Sequence, residues 1–221
     1  MIMNKLTIVI LVLVILSTSC KNKDSGKKYF NKDVQNSYTE KLNSFPRYLV
    51  NFFPSKIDGV YGMSETKDTT NECIYFMYYD FNNKKSTSID SLFSSKAKAV
   101  YNAIDTNIIS VRTKLLIWDD PTMEMFYNNI FINGRYYYPV PYFEKDDYSS
   151  IGIKSEDIYS SKTPCGLTKD FTIYILDSKQ GSYWKGLKPS EHMPKNWKNG
   201  FSKGVCVNNK KGIVIYWFVI W

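Results

Sequence analysis

Ile213-Val214-Ile215-Tyr216-Trp217-Phe218-Val219-Ile220-Trp221 is the stretch on which the fold turns. Side chains of a strand alternate between two faces, and this run has no polar face. Such a strand lies in the middle of a sheet covered on both sides. Asn208-Asn209-Lys210-Lys211-Gly212 before it has the composition of a hairpin loop, which makes Lys203 to Val207 the partner strand. Asp170 to Leu176 and Glu72 to Asp80 are aromatic and β-branched, with turn residues around them, and read as strands too. Ser110 to Trp118, Asn129 to Ile132 and Arg135 to Val140 complete the β-content. The last two are joined by Asn133-Gly134, a good hairpin signal.

Helical spacing appears in one long stretch. Ile89, Leu92, Phe93, Ala97, Val100, Ala103 and Ile104 share one face, Lys96, Lys98 and Asn102 lie opposite, and Thr87 with Asp90 resembles a capping box. This predicts an amphipathic helix over about 88–104. Val34, Tyr38, Leu42 and Phe45 also recur at helical spacing, and Pro46 can restart a helix through Phe53. Gly59 and Gly62 punctuate a loop, and Ser155 to Tyr159 fits a short helical turn. One main helix among about seven strands predicts an α+β fold with a mostly antiparallel sheet and an apolar central C-terminal strand. With no internal repeat and no second core, residues 37–221 read as a single domain.

Composition narrows the functional classes. Hydrophobic residues make up 43% of the 221 and aromatics 16%, ample for a packed core and incompatible with general disorder. Four Cys are too few for a disulfide scaffold, and one His removes most catalytic and metal-site vocabulary.

The N-terminus carries an export signal. Lys5 precedes the eleven-residue run Leu6 to Leu16, apolar except for Thr7. About 20 apolar residues are needed to span a bilayer, so this run reads as the core of a signal peptide. Ser17-Thr18-Ser19-Cys20 follows, then a polar stretch. Small residues before a Cys at this point resemble a bacterial lipoprotein lipobox. Ser17 departs from the usual Leu, with Leu16 one place earlier, as in the looser lipoboxes of Bacteroidetes lipoproteins. The expectation is a signal peptide over 1–19, lipid on Cys20 and a polar, Lys-rich tether over 20–36, placing the domain on the outer membrane or elsewhere in the cell envelope. The formal net charge is +8, or +7 once Lys5 is lost. The lysines are spread along the chain, so solvation and attachment to the envelope explain the charge, and no nucleic-acid partner is expected.

A second set of residues carries a resemblance. Ile173-Tyr174-Ile175-Leu176-Asp177, Gly181, Tyr183-Trp184-Lys185, Trp197-Lys198-Asn199-Gly200-Phe201-Ser202-Lys203-Gly204 and Ile215-Tyr216-Trp217 to Trp221 form a pattern. It is similar to that of uncharacterised lipoproteins of gut Bacteroidetes. The likeness covers Phe171 to Trp221 and the lipobox, and implies location without implying an activity. Asp68-Thr69-Thr70 resembles the O-glycosylation sequon of the same group, which marks Thr69 as a candidate; Asp90-Ser91-Leu92 also fits.

Candidate chemistry is sparse. Ser190, Glu191 and His192 contain triad residue types, but no Gly-x-Ser-x-Gly elbow accompanies them, and a surface loop is the plainer reading. Asp119-Asp120 and Asp146-Asp147 supply carboxylate pairs of the type glycosidases use, although adjacent residues of an extended chain point apart. Cys73, Cys165 and Cys206 lack metal-ligand spacing; they are three separate thiols or one bridge, with Cys165–Cys206 closing the loop between them. No catalytic, cofactor or metal residue is assigned. Trp184 and Trp197, with Tyr183 and Lys185, lie in a loop-rich stretch between Gly181 and Gly204 and form the candidate ligand surface, for a protein or glycan. Trp217 and Trp221 belong to the core. The last strand has Tyr216, Phe218 and Ile220 at alternate positions, where a membrane barrel needs a polar lumen face. The expected role is a lipid-anchored binding or structural module; the alternative is an envelope or glycan hydrolase working through Asp/Glu.

Overall fold

A computed structural model describes residues 32–57, 60–67, 72–79, 84–111, 138–143, 153–190 and 193–221. They belong to one compact unit, Lys32–Trp221. Its centre is β8, Ile213–Ile220, every residue of which is buried. β8 pairs on one side with β2, Glu72–Tyr79, and on the other with β7, Gly200–Asn208. β1 (Val60–Lys67) lies outside β2, while β6 (Thr172–Gln180) and β3 (Ala99–Asn102) lie outside β7. The sheet order is β1-β2-β8-β7-β6-β3, antiparallel throughout. The α+β architecture and the central last strand are as the apolar run predicts.

The alternation of β8 makes two cores. Ile213, Ile215, Trp217 and Val219, with Trp221 beyond the strand, join Phe171, Ile173, Cys165 and Cys206 on one face. Val214, Tyr216, Phe218 and Ile220 join Tyr38, Phe45, Leu49 and Phe93 on the other. The second face is covered by α1 (Lys32–Asn43), the single turn α2 (Arg47–Val50) and α3 (Lys84–Ser94). The first is covered by a parallel pair, β4 (Ile108–Val111) with β5 (Tyr138–Pro141), and by α4 (Ser155–Ile158) with the segment that follows it. Burying each such large apolar side chain is worth about 1.5–3 kcal/mol, so the double-sided strand is the main stabilising element.

Two glycines of β7 admit two tryptophans. Gly204 lies opposite Trp217, and Gly200 exchanges two backbone hydrogen bonds of 3.0 Å with Trp221. A Cβ on Gly204 would meet the Tyr174 carbonyl oxygen and come 2.6 Å from Cζ2 of Trp217; one on Gly200 would come 2.9 Å from Cζ2 of Trp221. Gly200 opens β7, the strand-start role its isolation suggests, whereas Gly204 lies inside the strand, where its missing side chain serves close packing.

The helix expected over 88–104 is corrected at both ends. α3 starts at Lys84, so Thr87 is inside it rather than at its N-cap, and it stops at Ser94. Ala99–Asn102 is instead an edge strand, and the Lys98 amide already donates to the Ile175 carbonyl at 2.8 Å. The outer edge of β6 supplies backbone partners that a continued helix would leave unused. Of the proposed apolar face, Phe93 and Ala103 are buried, but Leu92, Val100 and Ile104 are 46%, 50% and 56% exposed.

Other boundaries move as well. α1 opens at Lys32, inside the stretch assigned to the tether, because Val34 and Tyr38 pack on the helical core and the Tyr38 hydroxyl donates to the Pro54 carbonyl at 2.7 Å. The helix restarting at Pro46 lasts one turn. Gly62 sits within β1, where Tyr61 and Met63 on either side pack toward the helical core. Asn133-Gly134 and most of Ser110 to Trp118 lie outside the described residues.

Candidate functional site

The loop 181–199 joins β6 to β7 and carries all four residues of the expected ligand surface. Its aromatic residues are divided between the two faces of the sheet. Tyr183 stands edge-on to Phe201 at 4.9 Å between ring centroids, and Trp184 packs on Phe45 at 5.6 Å, both on the helical side. Trp197 packs on Trp221 at 5.9 Å on the other side, and its carbonyl accepts the Trp221 Nε1–H at 2.6 Å. Lys185 is exposed on the loop, next to Gly186 with φ of 99°. Trp184 and Trp197 are half-buried and fasten the loop to the two cores. Tyr183 is the aromatic of this set that remains open to a ligand.

Tyr183 has a neighbour from a distant part of the chain. Tyr48, on α2, also meets Phe201 edge-on, at 5.5 Å. The two tyrosines are 40% and 39% exposed, and Phe201 beneath them is buried. Burial first, and then the nearby Tyr183, hold the Tyr48 phenol above its ordinary value. β7 brings Lys203 to the same place. Lys203 lies two residues after Phe201 and so on the same face, and its Nζ donates to the Tyr48 carbonyl and sits 5.5 Å from the Phe52 ring centroid. Burial lowers the Lys203 pKa, Asp177 acts in the opposite sense, and Lys179 and Lys98 lower it further.

Strand register explains this grouping. Asp177 pairs with Lys203 and Lys179 with Phe201, and directly paired residues project to the same face. The Asp177 carboxylate accepts from Lys98 Nζ and from the Ser178 amide, the latter at 3.0 Å. Lys179 is exposed and makes no ion pair among the described residues. The result is a fixed aromatic step edged by ammonium groups. Such a surface can stack on a ring and attract an anion. Tyr183 is legible in the sequence, whereas Tyr48 and Lys203 are not; the one signal is a lysine at an inward position between Phe201 and Val205.

The remaining candidates fall elsewhere. Cys165 and Cys206 are buried, unbridged thiols in the core on the face opposite the helices. Burial pushes the Cys165 thiol up to about 11, and raises Cys206 with a further contribution from Cys165. Ser91 lies within α3, its hydroxyl donating to the Thr87 carbonyl at 3.1 Å. Cys20, Thr69, Asp119, Asp120, Asp146, Asp147, Glu191 and His192 lie outside the described residues, as does the Cys73 side chain. Among the described residues, no group of three His, Cys, Asp or Glu side chains is placed to hold a metal ion, and no helix is long and apolar enough to cross a membrane. Compared with family models, curated proteins and solved structures, the chain matches none of them.

Proposed function

We propose that this protein is a lipid-anchored module of the cell envelope that binds a ligand without transforming it. The observation that carries the binding role is the exposed Tyr48–Tyr183 pair over buried Phe201, with Lys179 and Lys203 beside it. The rings are held by packing, so little side-chain entropy is lost when a partner settles on them. The apolar run Leu6 to Leu16 followed by Ser17-Thr18-Ser19-Cys20 supports the anchor. Each buried CH₂ of an acyl chain contributes about 0.8 kcal/mol, so several chains on Cys20 hold the protein at a bilayer.

Metabolic labelling with an alkyne fatty acid tests the anchor. The wild-type chain should label and sediment with membranes, and Cys20→Ala should do neither. A Cys20→Ala chain that still labels and sediments refutes the anchored reading.

A further inference from the structure

Resting on the binding reading above, we infer that the Tyr48–Tyr183 end of the sheet is a site for an acidic oligosaccharide, its sugar faces against the two tyrosines and its carboxylate beside Lys179 and Lys203. The charge balance is the first support. Register and packing bring Lys98, Lys179 and Lys203 around one carboxylate, Asp177, which is already engaged by Lys98 and by the Ser178 amide. Three ammonium groups against one acid leave the end of the sheet positive. Burial is the main cause of the lowered Lys203 proton affinity; Asp177 opposes it, and Lys179 and Lys98 each lower it further.

The second support is the type of exposed surface. A pyranose ring has an apolar C–H face and a rim of hydroxyls. Tyrosine matches both, with a π-face for the C–H groups and a phenol for the rim. A purely apolar partner would strip water from two phenols and several ammonium groups without replacing their hydrogen bonds, at about 1–3 kcal/mol for each polar group. Tyrosine and lysine can also meet a bilayer surface, and exposed aliphatic side chains beside them would strengthen such a contact. Leu92, Val100 and Ile104 lie on α3, on β3 and just beyond it, not between the tyrosines. A neutral sugar would use the rings and leave the lysines idle. A uronic acid uses both.

The test is isothermal titration of the full-length chain in a polyoxyethylene detergent, with trigalacturonic acid, with neutral maltotriose, and with micelles of the same detergent with or without phosphatidylserine. Trigalacturonic acid should bind and maltotriose should bind at least about tenfold more weakly, because only the first engages the lysines. Raising ionic strength from about 0.01 to about 0.15 M, which shortens the screening length from about 30 to about 8 Å, should weaken trigalacturonate binding. Lys179→Ala should weaken it about tenfold with unchanged thermal melting, Tyr183→Ala should weaken it about tenfold while melting a few degrees lower for loss of the Phe201 contact, and Tyr183→Phe should retain most of it. Equal binding of the two saccharides, or wild-type affinity in Lys179→Ala, overturns the acidic-sugar assignment. So does a binding heat with phosphatidylserine-containing micelles but with no saccharide, which assigns the patch to a membrane surface. New reducing ends released from trigalacturonate overturn the non-catalytic reading instead, and are read separately from affinity.

Discussion

Replacing Gly204 with Ala probes the packing on which the double-sided strand depends. The added Cβ would meet the Tyr174 carbonyl oxygen and come 2.6 and 3.0 Å from Cζ2 and Cε2 of Trp217, itself fully buried. Carbon atoms pack best about 3.5–4.0 Å apart, so ring and strand must separate by about 1 Å. Neither neighbour is the free end of a flexible side chain, which places the cost near the top of the range for overpacking, about 3 kcal/mol. Loss of glycine freedom in the unfolded chain offsets about 0.4–1 kcal/mol of it, leaving about 2 kcal/mol net. For a unit of this size each kcal/mol moves the melting point by about 2–4 °C, so Gly204→Ala should melt about 4–8 °C lower. Near-ultraviolet circular dichroism follows the Trp environment during the melt. Trp217→Leu should relieve the ring clash and leave the carbonyl clash, so the double variant should lose about 1 kcal/mol less than the sum of the singles. A Gly204→Ala chain melting within about 1 °C of wild type would refute the close-packing argument.

Further expectations follow from other parts of the molecule. Burial, and secondarily Tyr216, hold the Tyr38 phenol well above its ordinary value of 10.0. Above that pH the unfolded chain loses this proton while the folded one keeps it, so stability is intact below about 10 and falls as pH rises from there. In urea titrations Tyr38→Phe should flatten that alkaline decline and, by removing the bond to Pro54, cost about 1 kcal/mol at neutral pH. Cys165 and Cys206 should resist a maleimide in the native protein at pH 8 and react once urea unfolds it, as mass spectrometry would show; labelling without urea would contradict their burial. Tyr174→Phe should destabilise by about 1–2 kcal/mol in the same titrations, since the Tyr174 hydroxyl ties β6 to Asp90 of α3.

What can be read from the residues alone depends on whether their neighbours are local. β8 is legible because nine apolar residues without a polar face admit few placements. β6, β7 and α4 follow from composition and flanking turns. β3 is not legible, because Ala97, Val100, Ala103 and Ile104 continue a helical period that α3 starts correctly; the deciding partner, the open edge of β6, lies at least 70 residues on. The candidate site divides in the same way. Tyr183 stands out as an aromatic in a polar loop. Tyr48 looks like any helix residue until α2 lies against β7, and Lys203 looks like ordinary strand punctuation until its ammonium reaches the Tyr48 carbonyl. Trp197 shares the loop with Tyr183, but loop membership does not tell which face of the sheet each residue caps.

The position of β8 also sets an order of events during synthesis. β1 with β2, and β6 with β7 and β3, can pair as soon as each set has left the ribosome. The two halves have no edge in common until Ile213–Ile220 arrives, and Tyr79 must then find Ile213 across most of the domain. Contacts this distant in sequence are slow to form, since long loops must close before any pairing rewards them. A nascent chain lacking its last strand therefore stays open and unable to complete its sheet. Completion of the sheet is thereby deferred until Ile213–Ile220 is available to both halves.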